Sequence, residues 1–228
     1  MSGRLYVIGT PVGNLEDITL RALKTLREVD IIYAETPDKI KKILYKYEIK
    51  NKLIHRLREF EAFKKSETII QELKNDKNVA VVSDSGTPGI QDPGNIVVDK
   101  VLLENLKVVP IPGASALNIA VSICGFRCDR FIFEGFLPVR VSKKRKRLQE
   151  LYDLNLPVVI FESPYKIKKT LEIIKEIFKN RKICIAREMT KIYEEIYRGN
   201  CEDLLNKIYS NEIPLKGEFT LIINKEYD

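Results

Sequence analysis

Two hydrophobic patterns alternate along the chain. Short unbroken apolar runs, of the kind a strand buried on both faces requires, are each closed by Gly, Pro or small polar residues. Between them, apolar residues return at helical spacing. In the first half the runs at 5–8, 29–34, 53–57, 79–82 and 106–111 predict strands. Helices are expected over 17–26, with Leu20, Leu23 and Leu26 on one side, and over 39–47, 66–75 and 117–122. The stretch 95–107 also carries its apolar residues at helical spacing. After Gly125 the pattern restarts, with strands at 130–138, 156–161, 182–186, 194–199 and 217–223 and helices at 166–178 and 202–209. Alternation of this kind predicts an α/β fold in two halves that meet near residues 115–126, with a parallel sheet covered by helices on both faces as the natural architecture. We place the domains at 1–116 and 117–228.

The loops carry the chemistry. Residues 83–94, Ser-Asp-Ser-Gly-Thr-Pro-Gly-Ile-Gln-Asp-Pro-Gly, follow the buried run at 79–82 and are too long and too rich in small polar residues for a plain turn. A loop of this composition at the carboxyl end of a buried strand is where open α/β sheets place ligands. Two further strands end similarly, at Gly9-Thr10-Pro11-Val12-Gly13-Asn14 and at Pro112-Gly113-Ala114-Ser115-Ala116. The first is neither a G-x-G-x-x-G fingerprint nor a P-loop. The second would let a ligand sit against helix N-terminal amides.

Composition narrows the chemistry. The 228 residues carry a net charge of +7 and four cysteines, and 44% are hydrophobic, enough to bury a core. A basic balance favours an anionic partner, and six of the eight residues 140–147 are cationic: Arg140, Lys143, Lys144, Arg145, Lys146 and Arg147. These are the candidates for binding the phosphates of an anionic partner, and RNA-binding residues if that partner is RNA; a solvated, mobile loop is the competing expectation. Cys124, Cys128, Cys184 and Cys201 fit no zinc or redox spacing and are expected as reduced thiols, with no metal. The one histidine, His55, lies in no motif and is given no role. The start of the chain lacks a signal-peptide pattern and no apolar stretch reaches membrane length, so a cytoplasmic protein with no membrane partner is expected.

Taken together, the segments 5–17, 83–88, 110–116, 133–138, 161–164, 186–191 and 216–218 resemble the bacterial 16S ribosomal RNA cytidine-2′-O-methyltransferases of the tetrapyrrole methylase superfamily, over residues 5 to about 223. The resemblance implies two αβα domains with S-adenosyl-L-methionine in an interdomain cleft, a homodimer, and a cytidine of small-subunit RNA as acceptor, within an assembled subunit. Carried over by motif, the cofactor would touch Pro11, Ser83, Asp84, Ser85, Gly86, Pro88, Gly113, Ser115 and Ala116, and from the second half Phe161, Glu162, Arg187, Glu188, Leu215 and Lys216. The chain departs from the family in two places. Thr36-Pro37-Asp38 stands where Asp-Thr-Arg is usual, and Leu57 and Phe60 stand where His and Asn are usual, although Glu61 persists. The lost polar groups are expected on the substrate side.

Methyl transfer from a sulfonium is an in-line displacement, so alignment in a dry cleft is the main requirement. A base positioned on a ribose hydroxyl would add roughly 10²–10⁴-fold. Glu188, Glu162, Glu35 and Asp84 lie at predicted strand ends and are the acidic candidates, with Lys191 placed to steer phosphate. An ion pair is the alternative role for each acid. Two other functions compete: methylation of a tetrapyrrole or other small anionic molecule, and an inactive RNA- or ribosome-binding relative.

Overall fold

A computed structural model describes residues 2–226 and divides the chain into two units, Met1–Ser115 and Ala116–Asp228. In the first unit the order is β1 (Arg4–Ile8), α1 (Leu20–Glu28), β2 (Ile31–Ala34), α2 (Pro37–Lys46), β3 (Leu53–Arg56), α3 (Ala62–Lys74), β4 (Val79–Val82), α4 (Gly94–Leu103) and β5 (Lys107–Ile111). The five strands form a parallel sheet in the order β3-β2-β4-β1-β5. Side chains of a strand alternate between faces, and β4 shows the consequence. Val79 and Val81 join Leu5, Ile31 and Tyr33 beneath Ile69 and Leu73 of α3 and Val97 and Val101 of α4. Ala80 and Val82 join Ile8, Ile32 and Ala34 beneath Leu26 of α1 and Ile40 of α2. Both faces are covered, which is why the strands read as unbroken apolar runs.

Three sequence expectations shift in this unit. Leu15–Asp17 is a 3-10 turn, and α1 starts later because the Thr19 hydroxyl caps it, accepting from Ala22 N–H at 3.0 Å. The buried stripe then runs through Ala22, Leu23 and Leu26, and Leu20, in the first turn, is 86% exposed. Helix α3 begins at Ala62 rather than Ser66, whose hydroxyl bonds back to the Ala62 carbonyl at 2.7 Å and so sits inside the helix at little cost. Leu57 does not face a substrate. Its N–H donates to the Ala34 carbonyl at 2.8 Å, extending the β2–β3 pairing, and its side chain is buried with Tyr33 and Ala62. Phe60 is exposed in the next turn, Glu59–Glu61.

The second unit runs α5 (Ala116–Ile123), β6 (Ile132–Phe136), α6 (Val141–Asp153), β7 (Val158–Glu162), α7 (Ile167–Phe178), β8 (Ile183–Arg187), β9 (Glu195–Gly199), α8 (Cys201–Tyr209) and β10 (Phe219–Ile223). Its sheet has the order β6-β7-β10-β8-β9 and is mixed, not parallel as expected. Only β6 and β7 pair in parallel; β10 lies antiparallel to both β7 and β8, and β8 to β9. The cause is connectivity, since β8 passes to β9 without the crossover helix that a parallel neighbour needs. Val158, Ile160, Ile185 and Leu221 face α6, α7 and α8, while Val159, Cys184 and Ile222 pack with Ala120 of α5. The segment 140–147 is no loop, because it forms the start of α6. No helix among the described residues is long and apolar enough to cross a membrane.

Candidate functional site

In the first unit four loops leave the carboxyl ends of neighbouring parallel strands, and the chain ties them together. Gly9, after β1, and Gly113, after β5, approach so closely that a Cβ on Gly113 would lie 2.6 Å from the Gly9 carbonyl oxygen, and one on Gly9 2.7 Å from the Gly113 Cα. The Thr10 N–H donates to the Gly86 carbonyl at 2.8 Å, and its hydroxyl to the Ser83 and Gly86 carbonyls at 3.3 Å. Gly86 adopts φ +85°, the left-handed region a side chain resists. Ser85 and Thr87 donate their hydroxyls to the Val12 and Ala114 carbonyls, each at 3.0 Å. Further along, the Asp92 carboxylate accepts the N–H groups of Gly89 and Gly94 and fixes the loop before α4.

Pro11, Ser83, Asp84, Ser85, Gly86, Pro88, Gly113 and Ser115 are therefore gathered at one edge of the sheet, and Ala116 opens α5. Pro11, Ser83, Gly86, Pro88 and Ser115 are buried, and Ser85 is exposed. Asp84 is a latch: Oδ1 accepts the Thr36 N–H and Oδ2 the Thr36 hydroxyl, both at 2.8 Å, with the Lys39 ammonium 2.9 Å from Oδ2. The departure at position 36 thus supplies a partner for a motif residue. Asp38 instead pairs with Lys41 on the surface at 2.8 Å. Beside this latch, burial and the charges of Asp84 and Asp92 raise the Glu35 carboxyl above its ordinary value, against the opposing pull of Lys39 and the Asp84 N–H.

In the second unit the motif residues are mostly structural. Glu162 is buried at the end of β7, where Oε2 accepts the Lys144 ammonium at 3.1 Å and the Thr170 hydroxyl at 2.5 Å, and Oε1 the Ser163 N–H at 2.9 Å. Lys144 also donates to Thr170 at 2.6 Å and its side chain is 4% exposed. Lys144 thus cannot reach RNA, and its charge neutralises Glu162. Arg145 pairs with Glu176, and Arg147 grips Glu134 through two bonds of 2.8 and 2.7 Å while also reaching Glu150. Glu134 is placed for this by the bulge at Gly135, where β6 slips its register against β7. Of the six cations, Arg140, Lys143 and Lys146 have no carboxylate partner among the described residues.

Arg187 is also buried, donating to the Lys216 carbonyl at 2.8 Å, the Tyr193 carbonyl at 3.2 Å and Glu195 at 2.7 Å. Phe161 packs edge-on against Phe133 and Phe136, and Leu215 and Lys216 are exposed. Burial works to raise Glu188, but bonds from Lys191 at 2.8 Å and the Glu218 N–H at 2.9 Å outweigh it and hold its carboxyl below the ordinary value. The cysteines are free, with Cys124 and Cys128 sulfurs 3.8 Å apart. Burial pushes the Cys128 and Cys201 thiols up to about 12, which makes them poor nucleophiles. An open groove of about 710 Å³ between the end of α2 and the start of β3 is lined by Lys41, Lys46, Lys50 and Lys52, at the opposite sheet edge from the glycine loops.

The first-unit loops fit the polar part of a nucleoside cofactor. The N–H groups of Ser85, Thr87, Ala114 and Ser115 donate to no backbone carbonyl among the described residues, whereas Gly86 is bridged to Thr10, and the Gly9–Gly113 approach leaves bare backbone beside them. Sequence reasoning missed Thr10, Thr36, Lys39 and Thr170 as fastenings; the paired glycines at two strand ends were the one available signal.

Comparison with known proteins agrees with this geometry. Residues 4–205 match the family model described as Tetrapyrrole (Corrin/Porphyrin) Methylases. A protein of Thermotoga maritima named ribosomal RNA small subunit methyltransferase I is 45% identical over 97% of this chain and 98% of its own length. One of the same name from Borrelia garinii is 42% identical over 97% and 98%. Among solved structures, one titled diphthine synthase superposes with a TM-score of 0.77 over 99% of this chain and 92% of its own, at 15% identity, a likeness of fold alone. The chain belongs to the tetrapyrrole methylase family, in the company of the ribosomal RNA small subunit methyltransferases I.

Proposed function

We propose that the chain transfers a methyl group from S-adenosyl-L-methionine to the ribose 2′-oxygen of a cytidine in small-subunit ribosomal RNA. The observation that carries this is the cluster of unused N–H donors beside the Gly9–Gly113 approach, at the carboxyl ends of β1, β4 and β5. Backbone donors so placed bind a carboxylate or ribose hydroxyls without a side chain in the way. When bound, the cofactor supplies an electrophilic methyl on a sulfonium. The chain's own residues bind it, align the acceptor and take the hydroxyl proton.

For the proton, Glu35 is the acid of choice. Glu162 is neutralised by Lys144, Asp84 is taken up by Thr36 and Lys39, and Glu188 is held as an anion by Lys191. The Glu35 carboxyl is raised, by burial first and then by the charges of Asp84 and Asp92, towards the range where a general base works best. Arg140, Lys143 and Lys146 supply phosphate contacts along α6. The protein acts as a cytoplasmic homodimer on assembled small subunits.

Under-methylated small subunits incubated with the protein and labelled cofactor, followed by mass mapping of nucleosides, test the assignment. Label on a ribose of cytidine is expected. Label on a base, or only on an added tetrapyrrole, would overturn the acceptor and leave the cofactor assignment standing.

A further inference from the structure

The loop between β8 and β9, residues 188–194, is braced on every side. Its backbone accepts and donates within the loop, from Lys191 N–H to the Glu188 carbonyl at 3.0 Å and from Glu194 N–H to the Lys191 carbonyl at 3.1 Å. Glu188 N–H donates to the Glu218 carbonyl at 2.9 Å, Thr190 N–H to the Glu194 carboxylate at 2.5 Å, and buried Arg187 holds the Tyr193 carbonyl. Glu188 and Thr190 both stand at positive φ, +50° and +65°, a conformation side chains adopt only when their surroundings enforce it. Yet this fixed loop holds Ile192 94% and Tyr193 72% exposed to water. Rigid backbone that presents large apolar side chains to solvent is the arrangement of a binding surface.

A second aromatic stands at the same edge of this sheet. Glu162 of β7 and Arg187 of β8 are both in register with Phe219 of β10, so the two strand ends lie about 10 Å apart. Just beyond β7, Tyr165 is 94% exposed. The acids around the loop are all engaged: Glu188 and Glu218 by Lys191, Glu195 by Arg187, and Glu194 by the Thr190 N–H. Arg140, Lys166 and Lys216, which follow β6, follow β7 and precede β10, have no acid partner among the described residues.

We propose that Tyr165, Ile192 and Tyr193 form a platform on which unpaired bases of the RNA stack, with Arg140, Lys166 and Lys216 holding the intervening phosphates. The proposal rests on the RNA reading above and adds the form of RNA that the surface takes: a locally single-stranded segment, its bases splayed from any duplex. Aromatic faces interleaved with free cations are the recurrent recognition device for such strands. A second copy of this chain fits the face less well, because a two-fold contact would set the unpaired cations against their own copies.

Fluorescence anisotropy with the full chain, a labelled single-stranded RNA oligonucleotide and a duplex of equal length tests this. Tyr165→Ala and Tyr193→Ala should each weaken single-strand binding by roughly tenfold, leaving duplex affinity and S-adenosyl-L-methionine affinity unchanged. Tyr193→Phe should bind as the unaltered chain does, because the ring and not the hydroxyl carries the contact. Unaltered single-strand affinity in both alanine variants, or equal losses for strand and duplex, would overturn the platform. So would a change of oligomeric state in the alanine variants, which would assign the face to self-association. If the unaltered chain methylates small subunits while these variants bind and react normally, the platform fails and the enzyme assignment stands. If the unaltered chain neither binds RNA nor methylates it, both fail.

Discussion

The Asp84 carboxylate accepts both the N–H and the hydroxyl of Thr36, each at 2.8 Å, so a single residue after β2 closes against the loop after β4. Thr36→Val keeps the shape and the N–H bond but removes one of the two partners of Asp84 Oδ2, leaving it to Lys39 alone. A hydrogen bond to a charged group contributes roughly 1.5–3 kcal/mol, and partial exposure of Asp84 places the expected loss at the low end. Urea midpoints should fall accordingly for Val and recover for Thr36→Ser. Cofactor affinity should follow the same order, because the latch shapes the loop that carries Ser85 to Thr87.

Lys144 and Lys143 are neighbours in sequence with opposite expected behaviour. Lys144→Met strips the partner from a Glu162 that is buried, and removing one member of a buried pair costs about 3–5 kcal/mol. The double variant Lys144→Met/Glu162→Leu should recover most of that loss in urea unfolding. Lys143→Met, on the exposed face of α6, should leave stability within about 0.5 kcal/mol. Its effect should appear instead in RNA binding, whose salt slope should fall by about one unit for each phosphate no longer neutralised.

Gly113→Ala should lower stability and cofactor affinity together. The added methyl would stand 2.6 Å from the Gly9 carbonyl oxygen, so β1, β5 or both loops must give way. Overpacking of this kind costs about 1–3 kcal/mol. Calorimetric titration and thermal unfolding should move in step. A variant with unchanged unfolding and lost binding would mean that the glycine serves the ligand directly.

What the sequence made legible, and what it hid, divides along the range of the interactions. Strands β2, β4 and β10 were visible because they are buried on both faces and so are almost wholly apolar. The glycine loops were visible because close backbone approach demands Gly at 9 and 113 and a left-handed φ favours it at 86. The direction of β10 was not, since an apolar run reads alike in parallel and antiparallel pairing. The fate of the basic run was hidden for another reason. Helical spacing turns Lys144 inward and Lys143 outward, and only the partner Glu162, 18 residues on, decides that an inward lysine is tolerated. Thr36 looked like a loss when set against the family pattern, because its partner Asp84 lies 48 residues away.

Glu35 gives the sharpest test, because stability and rate should respond to it in opposite senses. Its carboxyl is raised in the folded protein, by burial first and then by Asp84 and Asp92, so the native state holds the proton more tightly than the unfolded chain does. The resulting stability is fully present below the ordinary carboxylate value and is lost as pH rises through the raised one. Glu35→Gln, which does not titrate, should therefore unfold at a higher temperature than the unaltered chain near pH 7, and the gap should close in acid. Methyl transfer should show the reverse. A base must be ionised, so the unaltered rate should climb with pH through the raised value and then level, while Glu35→Gln should run about 10²–10⁴-fold slower with that limb gone. Equal thermal curves with a lost pH limb would leave Glu35 as the base and reject the burial account of its shift. A stabilised variant with full activity would move the proton to another acceptor.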